Sequence, residues 1–130
     1  MMETQLRGAL INWLRGDPLL QPLLNDVTEE APSRACPPWL GIAASASTDW
    51  SAKDVRGREV RVAFELHIRG EEAAESAALV AQVEERIESL PPVQDGYRVV
   101  TTRFLRARAE QRPRSTRAVL VEYRFRLLAE

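Results

Sequence analysis

Between Val60 and Arg69 the chain alternates without a break, with Val60, Val62, Phe64, Leu66 and Ile68 set against Arg61, Ala63, Glu65, His67 and Arg69. Side chains of a strand point to opposite faces in turn, so this pattern demands a strand with one face buried and the other in water. A helix is excluded, because its apolar stripe needs steps of three and four. Upstream, Pro37-Pro38 cannot donate to a ladder and reads as the start of a partner strand. That strand runs from Trp39 to Ser47 and is small and apolar enough to be packed on both faces. Residues 48–58 join the two and include Asp49, Trp50, Ser51, Lys53, Asp54, Arg56 and Gly57. About ten residues is longer than the two to five usual in a hairpin, and long loops are where binding residues collect. The loop is expected to be mobile in the isolated chain and ordered against a partner, with Trp50 either an exposed anchor or folded back onto its own sheet edge.

The remaining elements follow from spacing. Leu6, Ala9, Leu10, Trp13 and Leu14 form one stripe of a helix ended by Gly16. Asp17-Pro18 reads as an N-cap and first helical position, opening a short second helix through Leu19, Leu20, Leu23 and Leu24 as core. Residues 25–36 are polar and read as a surface connection. Glu71, Glu72 and Glu75 suit the start of a third helix, which carries Leu79, Val80, Val83, Ile87 and Leu90 on one face and stops at Pro91-Pro92. Residues 97–109 and 116–129 form a second hairpin around a turn region at 110–115. The order α, short α, β, β, α, β, β predicts an α+β fold, a four-stranded, mainly antiparallel sheet with helices on one face. All 130 residues are expected to form a single domain, 1–130.

Charge narrows the function. Residues 1–96 carry 9 basic and 16 acidic side chains, a balance of −7, whereas residues 97–129 carry 9 basic and 2 acidic, a balance of +7. An arginine-rich surface opposite an acidic one fits contact between neighbouring copies, and head-to-tail contact closes into a ring when the rotation allows it. Arg106, Arg108, Arg112 and Arg114 are therefore candidate interface residues, together with Asp49, Trp50, Lys53, Asp54 and Arg56 of the loop. Catalysis finds no support. One His and one Cys cannot make a clustered zinc ligand set, no nucleophile has an evident base, and neither a phosphate loop nor a dinucleotide fingerprint occurs. No catalytic residue, metal site or cofactor is expected. The second hairpin is rich in arginine but lacks the interleaved aromatics of a single-strand platform, so no sequence-specific nucleic-acid binding is expected. Cys36 alone permits no intrachain disulfide, and no apolar run nears the ~20 residues of a membrane span; a soluble chain of a reducing compartment is expected, with no membrane partner.

With these elements placed, the sequence resembles the tail terminator, or tail completion, family of long-tailed phages and gene transfer agents. The resemblance is carried by the Leu6 to Leu14 helix, the Asp17-Pro18-Leu19 step, Pro37-Pro38-Trp39-Leu40, and Thr48-Asp49-Trp50-Ser51 before a glycine. The Glu59 to Ile68 strand, the helix ending near Leu90 and Tyr123-Arg124-Phe125 continue it. It implies a virion structural protein that forms a homo-hexameric ring, caps the head-proximal end of the tail tube, stops its polymerisation and docks the head–tail connector or adaptor. It also implies residence in the bacterial cytoplasm during assembly and then at the head–tail junction of a phage-like particle, whether a phage, a prophage product or a gene transfer agent. The family offers no catalytic residues to carry over. Two other readings stay open, a different small connector or adaptor protein and a nucleic-acid-binding α+β domain.

Overall fold

The computed structural model describes residues 2–29, 36–70 and 73–130, and for Ala73 and Glu75 the backbone only. Glu71 and Glu72, and the side chain of Glu75, expected to favour a helix start, lie outside the described residues. Helix α1 (Met2–Arg15) buries Leu6, Leu10, Ile11 and Leu14. Helix α2 spans Ala73–Glu88, and Leu79, Val83 and Ile87 on it are buried, as the helical spacing requires.

The sheet has five strands rather than the expected four: β1 (Asp26–Thr28), β2 (Trp39–Asp49), β3 (Gly57–Arg69), β4 (Tyr97–Arg112) and β5 (Thr116–Ala129), in the order β1-β2-β3-β5-β4. The α+β class and the antiparallel pairs hold; β1 is the addition, and it lies parallel to β2 with Val27 opposite Leu40. Three residues are too few to show a period, so sequence spacing reads this segment as a connection. What fixes it is tertiary. Asn25 donates from its backbone to Pro38 O at 2.7 Å and from Nδ2 to Cys36 O at 2.8 Å, while Arg15 Nε donates to Val27 O at 2.8 Å.

The short second helix is also replaced. Residues 18–23 form hydrogen-bonded turns. Asp17 still caps them, its buried carboxylate accepting from Leu19 N at 3.0 Å and from Gln82 Nε2 at 2.8 Å. Leu20 and Leu24 are buried, but Leu19 and Leu23, expected in the core, are 61% and 53% exposed.

Both helices cover one face of the sheet. Val60, Val62, Phe64, Leu66 and Ile68 of β3 and Val119, Val121, Tyr123, Phe125 and Leu127 of β5 meet them there. β2 is packed only over its first four residues, not throughout. A bulge interrupts its pairing between Ile42 and Ala44, after which Ser45 and Ser47 take the helix-facing positions. There Ser45 Oγ bonds to Glu3 at 3.2 Å and receives Arg7 NH1 at 2.9 Å.

Candidate interface on the open face of the sheet

Period-two alternation sends every second residue of β3 and β5 away from the helices, and the register lines these up with β4. The open face therefore consists of rows running across adjacent strands. One row is Arg61, Arg124 and Arg103; the next is Glu59, Arg126 and Thr101; beyond it Gly57, Leu128 and Arg98 are aligned. On the other side lie the row with Ala63, Glu122 and Arg106 and the row with Glu65, Leu120 and Arg108. The charge asymmetry read along the chain thus becomes an asymmetry between layers, with arginines on the sheet and Glu84, Glu85 and Glu88 on α2 behind it.

The candidate arginines of β4 already have partners. Arg106 reaches Glu122 at 3.4 Å, Arg108 reaches Glu110 at 2.7 Å, and Arg112 bonds to Glu110 at 2.9 Å with Glu65 at 3.7 Å. These pairs are largely exposed, where an ion pair contributes ~0–1 kcal/mol and exchanges readily for a better partner. Arg114 stands at the turn with φ 64°, next to Ser115 at φ 57°. Left-handed backbone at two successive residues is what a tight hairpin turn needs, and side-chain-bearing residues adopt it at a cost. The turn is shorter than the expected 110–115, because β4 continues to Arg112.

The β2–β3 loop is more closed than its composition implied. β2 continues to Asp49 and β3 starts at Gly57, and between them Ala52 and Val55 pair, with Ala52 N donating to Val55 O at 2.9 Å. Lys53 and Asp54 form the exposed tip. Ser51 Oγ donates to Asp49 Oδ1 at 2.7 Å and accepts from Gly57 N at 2.9 Å. Trp50 folds back onto its own sheet, its ring 5.4 Å from the Arg126 guanidinium, and Arg56 is exposed. A Cβ at Gly57 would sit 2.3 Å from Trp50 O and 2.9 Å from Leu127 O, so only glycine admits this approach.

The two candidate groups are not brought together. Gly57 lies opposite Leu128 and Arg69 opposite Thr116, so the β2–β3 tip and the β4–β5 turn sit at opposite ends of β3, about 40 Å apart at strand rise.

Titratable chemistry is structural. His67 stacks on Trp39 at 4.0 Å with a 10° interplanar angle, its Nε2 2.7 Å from Glu65 Oε1. Tyr123 donates to Glu88 Oε2 at 2.6 Å; burial, and then that carboxylate, push the phenol far above its usual range. Burial and the nearby Glu88 raise the Glu84 carboxyl, whereas Ser47 first among its hydrogen-bond partners holds Glu3 low. Among the described residues no group of three His, Cys, Asp or Glu is placed to hold a metal, and no helix is long and apolar enough to cross a membrane.

Sequence reasoning missed Arg61 and Phe104, the latter 43% exposed against Tyr123, and read Arg98 and Arg103 only as part of an arginine-rich hairpin; the side chains of Arg61, Arg98 and Arg103 have no ion-pair or hydrogen-bond partner among the described residues. Alternation placed Arg61 on a polar face; the signal lacking was the register that sets it in line with Arg124 and Arg103.

The family described as tail completion protein gp17 matches residues 8–128. Among solved structures, a chain of the virion of native gene transfer agent (GTA) particle is similar in fold, with a TM-score of 0.84 and 22% identity over 98% of this chain and 97% of that one. No curated protein matches in sequence.

Proposed function

Since the chain belongs to the tail completion protein gp17 family, a family of phage-like tail structural proteins, we propose that it forms a hexameric ring that caps the head-proximal end of a tail tube. In this reading the ring stops tube polymerisation and offers a surface to the head–tail connector or adaptor, in the bacterial cytoplasm first and at the head–tail junction of the particle afterwards. It performs no catalysis and needs no cofactor. The observation that carries the ring is the layering of charge: an arginine-bearing sheet face and the acidic α2 lie on opposite sides of one subunit, so one copy can steer onto the next. Heterologous contact of that kind repeats and closes when the rotation fits. Arg106, Arg108, Arg112 and Arg114 contact the neighbouring subunit. Asp49, Trp50, Lys53, Asp54 and Arg56 form a preformed tip that meets the tube or an adjoining ring.

Electron microscopy of particles made without this protein tests the assignment. Tubes of uncontrolled, excessive length are expected; tubes of normal length that lack heads point to a connector or adaptor instead. Mass measurement of the purified chain tests the ring itself.

A further inference from the structure

At the β2–β3 end of the open face, three successive rows hold five arginines, Arg61, Arg98, Arg103, Arg124 and Arg126, against one carboxylate, Glu59. Their balance is +4 (five minus one). Glu59 is committed to Arg126 at 3.0 Å and Arg124 at 3.7 Å, which leaves Arg61, Arg98 and Arg103 without partners among the described residues. Arg61, Arg124 and Arg103 stand directly opposite one another on adjacent strands about 4.8 Å apart, where like charges repel. Arg124 Nε is buried and makes no hydrogen bond. A fold that retains this arrangement leaves a need for an anion.

Beside the row the sheet is low and open. Ala44, Ala46 and Ala63 floor a shallow depression of about 220 Å³ walled by Arg61 and Glu122. Of the large exposed apolar side chains, Val93 bridges to Arg98 at the edge of the third row and Val100 sits in the bulge between the Arg98 and Thr101 positions, whereas Leu19, Leu23, Val55 and Phe104 are not among the outward residues of these rows. A protein partner draws its affinity from buried aromatic and aliphatic anchors, and these the band offers only at its edge, in the half-buried Trp50 and Leu128 and in the two valines. Binding to a phosphate backbone needs none, because it is driven by release of counterions.

We propose that this band binds the phosphate backbone of duplex nucleic acid without reading sequence. Guanidinium forks match phosphate oxygens, and the local charge decides the contact even though the whole chain carries a net −1. Stacking on bases has no part, since Trp39 is covered by His67 and Trp50 lies against Arg126.

The test is fluorescence anisotropy of the full chain with two labelled DNA duplexes of unrelated sequence, titrated between about 50 and 200 mM salt. Equal affinity for both duplexes is expected, falling roughly a hundredfold across that range if about four phosphates are neutralised. Arg61→Gln with Arg103→Gln, both exposed, reduces the slope of log affinity against log salt by about 2. Arg69→Gln with Arg117→Gln, at the far end of the sheet and outside the proposed subunit contact, leaves it unchanged. No binding at the lowest salt overturns the proposal, as does equal loss in both double variants. The oligomeric mass of the same samples separates this inference from the ring. Binding by a chain that stays monomeric supports the phosphate site and overturns only the ring. Loss of the oligomer in Arg61→Gln with Arg103→Gln, with no DNA binding by the unmodified chain, makes the band a subunit contact and overturns the site.

Discussion

Trp13 and Arg86 exchange two hydrogen bonds: the indole Nε1 donates to Arg86 O at 2.8 Å, and the Arg86 Nε donates to Trp13 O at 2.8 Å. The guanidinium also lies over the indole, 3.4 Å from the ring centroid. The C-terminal turns of α1 and α2 are thereby clasped at a half-buried site where both partners retain polar groups to satisfy. An arginine that spacing places outside the apolar face of α2 thus helps set the angle between the helices.

Replacing Arg86 by Lys removes the planar stack and the directed Nε bond while keeping the charge. A loss of about 2 kcal/mol is expected from one or two hydrogen bonds and a cation–π contact, read as a lowered urea midpoint with an unchanged slope.

Val83 is fully buried between α2 and the sheet. Val83→Asp places an unpaired carboxylate there and is expected to destabilise by several kcal/mol. Thermal unfolding like that of the unmodified chain would contradict the assignment of this helix face to the core.

Tyr123 is inaccessible, and its phenol is raised above the ordinary value of 10.0 by burial and by Glu88. Above that pH the unfolded chain releases the proton while the folded chain retains it, so the stability is complete below about pH 10 and is lost as pH rises further. Tyr97, raised by burial, acts in the same direction. A Tyr123→Phe variant should lose about 1–3 kcal/mol at neutral pH and show a shallower decline in melting temperature at alkaline pH.

Gly57→Ala should force the Trp50 carbonyl away and open the β2–β3 tip, since its Cβ would meet backbone on two sides. A loss of about 1–3 kcal/mol and a shift of Trp50 fluorescence are expected. In the unmodified chain, hydrogen exchange at Trp50 and Gly57, whose amides are bonded, should be slower than at Lys53 and Asp54. Uniformly fast exchange across the tip would favour a mobile docking arm.

Reversing Arg106 and Arg108 to Glu together should weaken self-association while leaving the subunit folded, because both side chains are exposed and their present pairs contribute little. Analytical ultracentrifugation at two salt concentrations reads the effect; charge-steered contact in the unmodified chain weakens with added salt. Assembly indifferent to both changes would argue against it.

Local pattern determined a good deal. Period two in β3 and β5, and steps of three and four in α1 and α2, identify these elements and the faces they bury, because a one-residue error would turn every apolar side chain of a strand to water and would rotate a helix stripe by about 100°. Tertiary structure alone decided the rest. β1 exists because Asn25 and Arg15 hold its backbone to β2 and α1, and three residues carry no period of their own. Leu19 and Leu23 are exposed because Asp17 caps turns rather than a helix, which faces only two of four leucines inward. The β2–β3 loop closes because Gly57 lets backbone approach backbone, a contact that composition does not announce. The alignment of Arg61, Arg124 and Arg103 comes from the register of β3 on β5 and of β5 on β4. Alternation tells which face a residue occupies, but only the pairing of distant strands tells which residues stand side by side on it.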